Sequence, residues 1–377
     1  MKFFHLSDLH LGKRHSDFSL IEDQRYILNE IISLADSHTP DGVIIAGDVY
    51  DKTVPSAEAV ELFDSFLVAL AERQIKVFII SGNHDSPERV AFGGEIMQLG
   101  GVYLSPVYNG KVEPVCLADE YGEIKIWLLP FLKPILVRRH FPEKEIETYT
   151  DALAAAIDEM GIDPKERNLL ITHQFVTGAD KAGSEELSVG GSDNVDLTFF
   201  RGFDYVALGH IHSAQNLDGC RVRYCGTPLK YSFSEIHHKK SVTLLTMGEK
   251  GDLTVEELPL APLRDLEELK GDFETLRSEE FRTKQNRENY FRIILTDEED
   301  IMNAYSLLSV HYPRIMSLQY DNSRTRAEAS DEIFTAAENL SPFEMFAKLF
   351  ALQNGREMNE NEIAVLEGMI DKIWKED

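Results

Sequence analysis

Five short motifs carry side chains able to bind metal: Asp8-Leu9-His10, Gly47-Asp48-Val49-Tyr50-Asp51, Gly82-Asn83-His84-Asp85, Thr172-His173-Gln174 and Gly209-His210-Ile211-His212. In extended chain, residues two apart point to the same side, so Asp8 with His10, and His210 with His212, can each aim two ligands at one point. The glycines permit the tight turns that gather such groups. Imidazole, carboxylate and amide donors without thiolate suit Mn, Fe or Zn better than Ca or Mg. Seven candidates (Asp8, His10, Asp48, Asn83, His173, His210 and His212) exceed the needs of one tetrahedral ion. They suit two ions about 3.5–4 Å apart with one shared carboxylate. Two divalent ions carry four positive charges, of which Asp8 and Asp48 offset two. The surplus would hold a phosphate diester and stabilise its transition state, and such ions also acidify a held water. His84, next to Asn83, is placed to face substrate rather than metal, for transition-state stabilisation or proton donation to the leaving oxygen. Asp51 or Asp85 could orient it, with Asp51 preferred. His5, His15, His38, His140, His237, His238 and His311 fit no such pattern and read as structural or surface residues.

Each motif follows an apolar run. Lys2–Leu6, Gly42–Ala46, Lys76–Ile80, Leu169–Thr172 and Tyr205–Leu208 read as strands, while Ile21–Ala35 and Ala57–Glu72 have helical spacing. Alternation of this kind predicts an α/β fold with a buried sheet. The motifs then fall in strand-end loops, where such proteins place their sites. Ile124–Leu129 and Ser241–Met247 are expected as further strands of a second sheet. At Pro259-Leu260-Ala261-Pro262 the character changes. Leu263–Asn289 is polar and reads as helical or linking. Tyr290–Leu295, a helical Asp300–Val310 and Ile315–Tyr320 predict a small β-α-β unit, and Asp321–Glu332 a polar linker. The expected domains are 1–262, 263–325 and 326–377. In the last, Ser341-Pro342-Phe343-Glu344 has the form of a capped helix start, Gly355 a stop, and Asn359 with Glu362 a second start. The two helices carry apolar stripes: Phe343, Phe346, Leu349 and Phe350, then Ile363, Leu366, Met369, Ile370 and Ile373. So small a unit can scarcely bury such stripes alone, so they read as a docking surface for another protein's helices.

With 43% hydrophobic and 27% charged residues in 377, the chain can bury a sizeable core, which excludes global disorder. No run approaches the roughly 18 apolar residues of a membrane helix, and the N-terminal stretch turns polar too soon for a secretory signal. Three cysteines without C-x-x-C spacing fit a reducing, cytoplasmic setting. The net charge of −27 argues against a general nucleic-acid binder. Screening over about 8 Å still lets a cationic cleft work on an acidic body.

The five motifs together resemble the calcineurin-like metallophosphoesterase superfamily. Ser7–Gly12, Ser188-Val189-Gly190-Gly191, Gly202–His212 and Cys225–Glu235 are similar, within it, to DNA nuclease subunits that partner an SMC-like ATPase. The resemblance implies a two-sheet β-sandwich flanked by helices, a small β-α-β cap domain on DNA, and a C-terminal helical hairpin gripping the ATPase's coiled coil. It implies two metal ions, Mn2+, one held by Asp8, His10, Asp48 and His212 and the other by Asp48, Asn83, His173 and His210. His84 would be catalytic, supported by Asp51. A homodimer would act as exonuclease on double-stranded ends and endonuclease on hairpins and single strands, in DNA repair, replication and recombination. Lys13, Arg14, His15, Lys52, Arg89, Lys230 and Tyr231 lie beside the motifs and are expected on backbone phosphates. The alternative is a small-molecule phosphodiesterase of the same superfamily, which the acidic charge favours.

Overall fold

Runs such as Val43-Ile44-Ile45 and Phe78-Ile79-Ile80 have no exposed surface on either side, as strands covered on both faces require. In the computed structural model they form the first of two six-stranded sheets, in the order Leu253–Pro259, Ser241–Met247, Lys2–Leu6, Gly42–Ala46, Lys76–Ile80 and Val102–Leu104. The last four strands run parallel; Ser241–Met247 pairs antiparallel with both of its neighbours. The second sheet has the order Gln215–Asp218, Val222–Tyr224, Tyr205–Gly209, Arg167–His173, Gly122–Leu129 and Val115–Asp119. The structure describes residues 1–15, 17–180, 194–328, 343, 346, 347, 349–351, 356–359, 362, 363, 365, 366, 369 and 370, in two compact units, Met1–Leu266 and Glu267–Asp377.

The two sheets of the first unit pack face to face. Phe3, Ile44, Phe78 and Ile80 from one meet Ile124, Ile126, Leu128, Leu169 and Ile171 from the other. The period of two turns Trp127, Leu129 and Leu170 the opposite way, onto Leu153 and Ala156 of helix Tyr149–Met160. That helix begins at a capping box of Thr148 and Asp151. Helices Ile21–His38 and Ala57–Glu72 belong to the first sheet's half of the chain, the second starting where Ser56 Oγ accepts the Ala59 N–H. His5 joins the sheets from inside. Its Nε2–H donates to the Leu208 carbonyl at 3.2 Å while Nδ1 accepts the Tyr205 hydroxyl at 2.9 Å. Burial, then Arg223, pushes its pKa down to about 3, so it stays neutral. Ile124–Leu129 does lie in the second sheet; Ser241–Met247 lies in the first, beside Lys2–Leu6. Local pattern could not assign it, because both sheets bury such strands equally.

In the second unit Tyr290–Leu295 and Ile315–Tyr320 pair in parallel around the helix Ala304–Ser309, shorter than the expected Asp300–Val310. A third strand, Leu266–Gly271, precedes them, followed by helices Phe273–Arg277 and Glu279–Arg282, where the sequence suggested only helix or linker. Leu266-Glu267-Glu268-Leu269-Lys270-Gly271 reads as polar because an edge strand needs few buried side chains, here Leu266 and Leu269. The core holds Leu269, Phe273, Leu276, Phe291, Ile293, Leu308 and Tyr312. The expected linker Asp321–Glu332 contains a helix, Ser323–Glu328. Its start is fixed by Asn322 Oδ1 accepting the Thr325 N–H and Thr325 Oγ1 accepting the Asn322 N–H, both at 3.0 Å. Asn359 and Glu362 exchange the same kind of bonds. In the tail, Phe346, Leu349 and Met369 are exposed, Phe343, Phe350, Ile363 and Ile370 half-buried, and Leu366 buried. Ile373, the Ser188–Gly191 motif, the Ser341-Pro342 start and Gly355 lie outside the described residues. Among those residues, no helix is long and apolar enough to cross a membrane.

Candidate metal centre

The parallel strands end level with one another, so the loops that follow meet at one edge. Backbone bonds zip the first loop to the second: Asp8 N–H to Gly47 O (3.0 Å), His10 N–H to Asp48 O (3.0 Å) and Leu11 N–H to Val49 O (2.9 Å). Asp8 (φ 52°), His10 (43°), Asp48 (49°) and His210 (100°) adopt left-handed backbone. Such residues cost on the order of 1–3 kcal/mol each and persist where the surroundings over-determine them, commonly at functional sites. Gln24 is one such restraint: its amide donates to the carbonyls of His10 (2.7 Å) and Leu9 (3.3 Å) and accepts the Gly12 N–H (2.9 Å). Asp85 is another, accepting the N–H groups of Val49 (3.1 Å), Tyr50 (3.0 Å) and Gly82 (2.9 Å). It therefore braces the loops instead of orienting His84. Gly82 is required by proximity, since a Cβ there would stand 2.1 Å from Asp48 Oδ1.

All seven candidate ligands converge. His10 Nε2 faces His212 Nε2 at 3.3 Å and Asp48 Oδ2 at 3.8 Å, and Asp8, His10 and His212 form one tight group. His173 Nε2 lies 3.0 Å from Asn83 Oδ1, 3.3 Å from Asp48 Oδ2 and 4.0 Å from Asp8 Oδ1. His210 Nδ1 is 3.0 Å from the same Asn83 oxygen. Asp48 thus sits between the two groups.

The donor chemistry asks for cations. His173 Nδ1–H donates to the Ala46 carbonyl at 2.8 Å, which makes Nε2 the ring atom that faces the oxygens of Asn83, Asp48 and Asp8. Acceptors aimed at one spot are satisfied by positive charge. Burial pushes the His173 pKa down, but Asp48 and Asp8 outweigh it and raise it to about 9, so Nε2–H meets these oxygens until a metal ion takes the place of its proton. Burial lowers His210 to about 3 and His10 well below its usual range, leaving both neutral, as metal binding requires. Burial raises Asp8, whereas for Asp48 it is outweighed by His173, His10 and His84, which hold that carboxyl low.

His84 stands at the rim, its Nε2 4.0 Å from Asp48 Oδ2 and its ring edge-on to His10. Its Nδ1 lies 3.3 Å from the backbone carbonyl of Asp51. The Asp51 carboxylate instead pairs with Lys13 at 2.7 Å and lies 4.0 Å from His10 Nδ1. Arg14, Lys52 and Arg89 are exposed and His15 is half-buried against Phe233. Lys230 is committed to Asp265 (2.8 Å) and the Ile236 carbonyl. Tyr231 corrects the expectation of a phosphate contact: it is buried, its hydroxyl donating to the Leu9 carbonyl and accepting from Gln24. An aromatic beside cations looks like a ligand contact in sequence, and only packing shows it supporting the first loop. Gln24 and Glu235, whose Oε1 lies 3.3 Å from His212 Nδ1, also build the site. Neither lies in a metal-like motif, so sequence does not point to them, whereas Asp85 stands directly after His84.

Residues 1–214 match the family model of the calcineurin-like phosphoesterases, and 262–354 that of the type 5 capsule protein repressor C-terminal domain. The SbcD subunit of the nuclease SbcCD of Staphylococcus epidermidis is 34% identical over 349 residues, covering 92% of this chain and 89% of that protein. The chain belongs to the calcineurin-like phosphoesterases, in the family of the SbcD nuclease subunits. The resemblance read from the motifs therefore holds, and membership makes the chain a metal-dependent phosphodiester hydrolase. Family and His/Asp cluster together indicate a dinuclear metal site. Similar solved structures include a dimetal phosphatase from Danio rerio (TM-score 0.41, 9% identity, 68% of this chain and 95% of that one). Another is a protein of Thermus thermophilus (TM-score 0.39, 12% identity, 68% and 98%).

Proposed function

We propose that this chain is the DNA nuclease subunit of an SbcCD-type complex, acting with an SbcC-type SMC-like ATPase. It cleaves double-stranded ends as an exonuclease and hairpins and single strands as an endonuclease, as a cytoplasmic homodimer serving DNA repair, replication and recombination. The observation that carries the reading is the convergence of seven donors on one spot, in overlapping groups that share Asp8, His10 and Asp48, in a chain of this family. One Mn2+ would be held by Asp8, His10, Asp48 and His212, the other by Asp48, Asn83, His173 and His210. When bound, such ions offset phosphate charge and acidify water.

His84 acts on the leaving group. With Nδ1–H turned to the Asp51 carbonyl, Nε2 is the atom that faces the cluster; in the doubly protonated ring it passes its proton to the leaving oxygen, which leaves His84 neutral with its hydrogen still on Nδ1. Asp51 thus supports His84 through its main chain, while its carboxylate holds Lys13 near the cleft. Lys13, Arg14, His15, Lys52 and Arg89 are the remaining candidates for backbone phosphates. Residues 263–325 would cap the DNA, and the apolar stripes of 326–377 would dock on the ATPase.

The test is incubation of the purified chain with Mn2+ and hairpin DNA, with and without the ATPase. Cleavage is expected, and a chain lacking residues 340–377 should lose capture of the partner. No cleavage under either condition, alongside turnover of a small diester, would reject the nuclease in favour of a small-molecule phosphodiesterase.

A further inference from the structure

A buried chain of polar side chains ends on one of the candidate ligands. Glu235 has no exposed surface. Its Oε1 lies 3.3 Å from His212 Nδ1 and accepts the Tyr231 backbone N–H at 3.3 Å. Its Oε2 accepts from Lys240 Nζ at 2.6 Å. Lys240, also buried, directs its remaining donors to the His212 carbonyl (2.9 Å) and to Thr227 Oγ1 (2.6 Å). Thr227 passes its single hydroxyl hydrogen to the Leu229 carbonyl at 2.6 Å. All three ammonium donors of Lys240 are therefore placed.

This arrangement dictates the state of His212. A carboxylate paired with an ammonium only accepts, so the hydrogen on His212 must sit at Nδ1. The lone pair is then at Nε2, the atom that faces His10 Nε2 at 3.3 Å. Lys240 grips the same residue from the other side, through its main-chain carbonyl. A buried ion pair is often no more stabilising than apolar side chains of the same volume, so stability alone does not account for one packed behind a ligand. Carboxylates behind ligating histidines fix tautomer and ring orientation, and their loss typically weakens metal affinity about 10–100-fold.

We propose that Glu235 and Lys240 are positioning residues of the metal centre: they hold His212 so that Nε2 is presented to one of the two cations. The proposal rests on the dinuclear reading above and adds that one site, the one with Asp8 and His10, depends on this network. The test is a Mn2+ titration of the full-length chain, reading free Mn2+ by electron paramagnetic resonance, for wild type, Glu235→Gln and the pair Glu235→Gln/Lys240→Met. Wild type should bind two Mn2+ per chain. Glu235→Gln should keep one site and weaken the other about 10–100-fold. The double variant removes both charges together. It should therefore melt near the wild-type temperature and still show the selective weakening, which decides the matter if the single variant fails to fold. Loss of both sites together, or of neither, in the folded double variant overturns the role assigned to the network. A wild type that binds fewer than two Mn2+ overturns the dinuclear reading itself.

Discussion

Replacing Gly209 by alanine probes how closely the two sheets must approach to build the centre. Gly209 is in register with His173 on the neighbouring strand. A Cβ at this position would stand 1.9 Å from the Ala46 carbonyl oxygen, across the sandwich, and 2.6 Å from His173 Nδ1. That same carbonyl accepts the His173 Nδ1–H at 2.8 Å, so one added methyl strikes both partners of the bond that sets the His173 tautomer. Clearing the oxygen to 3.0 Å needs about 1.1 Å of separation, and the obstacle is backbone, which cannot rotate aside. Overpacking of this kind costs about 1–3 kcal/mol, and a weakened buried hydrogen bond about 1 kcal/mol more. At about 2–4 °C per kcal/mol for a domain near this size, the total of about 2–4 kcal/mol should lower melting by about 4–16 °C. Misplacing a reacting group by about 1 Å can cost 10²-fold in rate, so turnover of a phosphodiester with Mn2+ should fall at least that far. Melting followed by circular dichroism, with turnover on the folded protein, measures both. Gly94→Ala is the control, since its Cβ would meet only Leu104 at an ordinary 3.7 Å. Wild-type melting and turnover in Gly209→Ala would refute the close-approach argument.

Two further outcomes follow from the site. Under the role proposed for His84, at the leaving group and not on the metal, His84→Ala should lower turnover by roughly 10²-fold or more while both Mn2+ remain bound; loss of both ions, read by metal analysis, would mean its role is misassigned. Lys52→Ala and Arg89→Ala should each reduce the slope of log affinity against log salt by about 1 if each side chain meets a phosphate, measured by DNA titration at several salt concentrations. An unchanged slope would remove that residue from the DNA path.

The amino-acid sequence alone determined the apolar elements of the first unit and the donor types of the candidate site. Strands such as Gly42–Ala46, Lys76–Ile80 and Ser241–Met247, and the helix Ala57–Glu72, are legible because apolar periodicity is local and burial on both faces leaves a continuous apolar run. The seven donors were legible because few other roles call for histidine, carboxylate and amide at strand ends beside glycine. Tertiary structure alone decided what depends on distance between remote segments. It put Ser241–Met247 in the first sheet, buried Tyr231 under the Leu9 loop, turned the Asp51 main chain toward His84, and set Glu235 behind His212. The polar strand Leu266–Gly271 became a strand because a neighbour offered it hydrogen bonds. The physical reason is common to all of these: a side chain's type fixes which bonds it can make, while packing fixes which partner is within about 3 Å to make them.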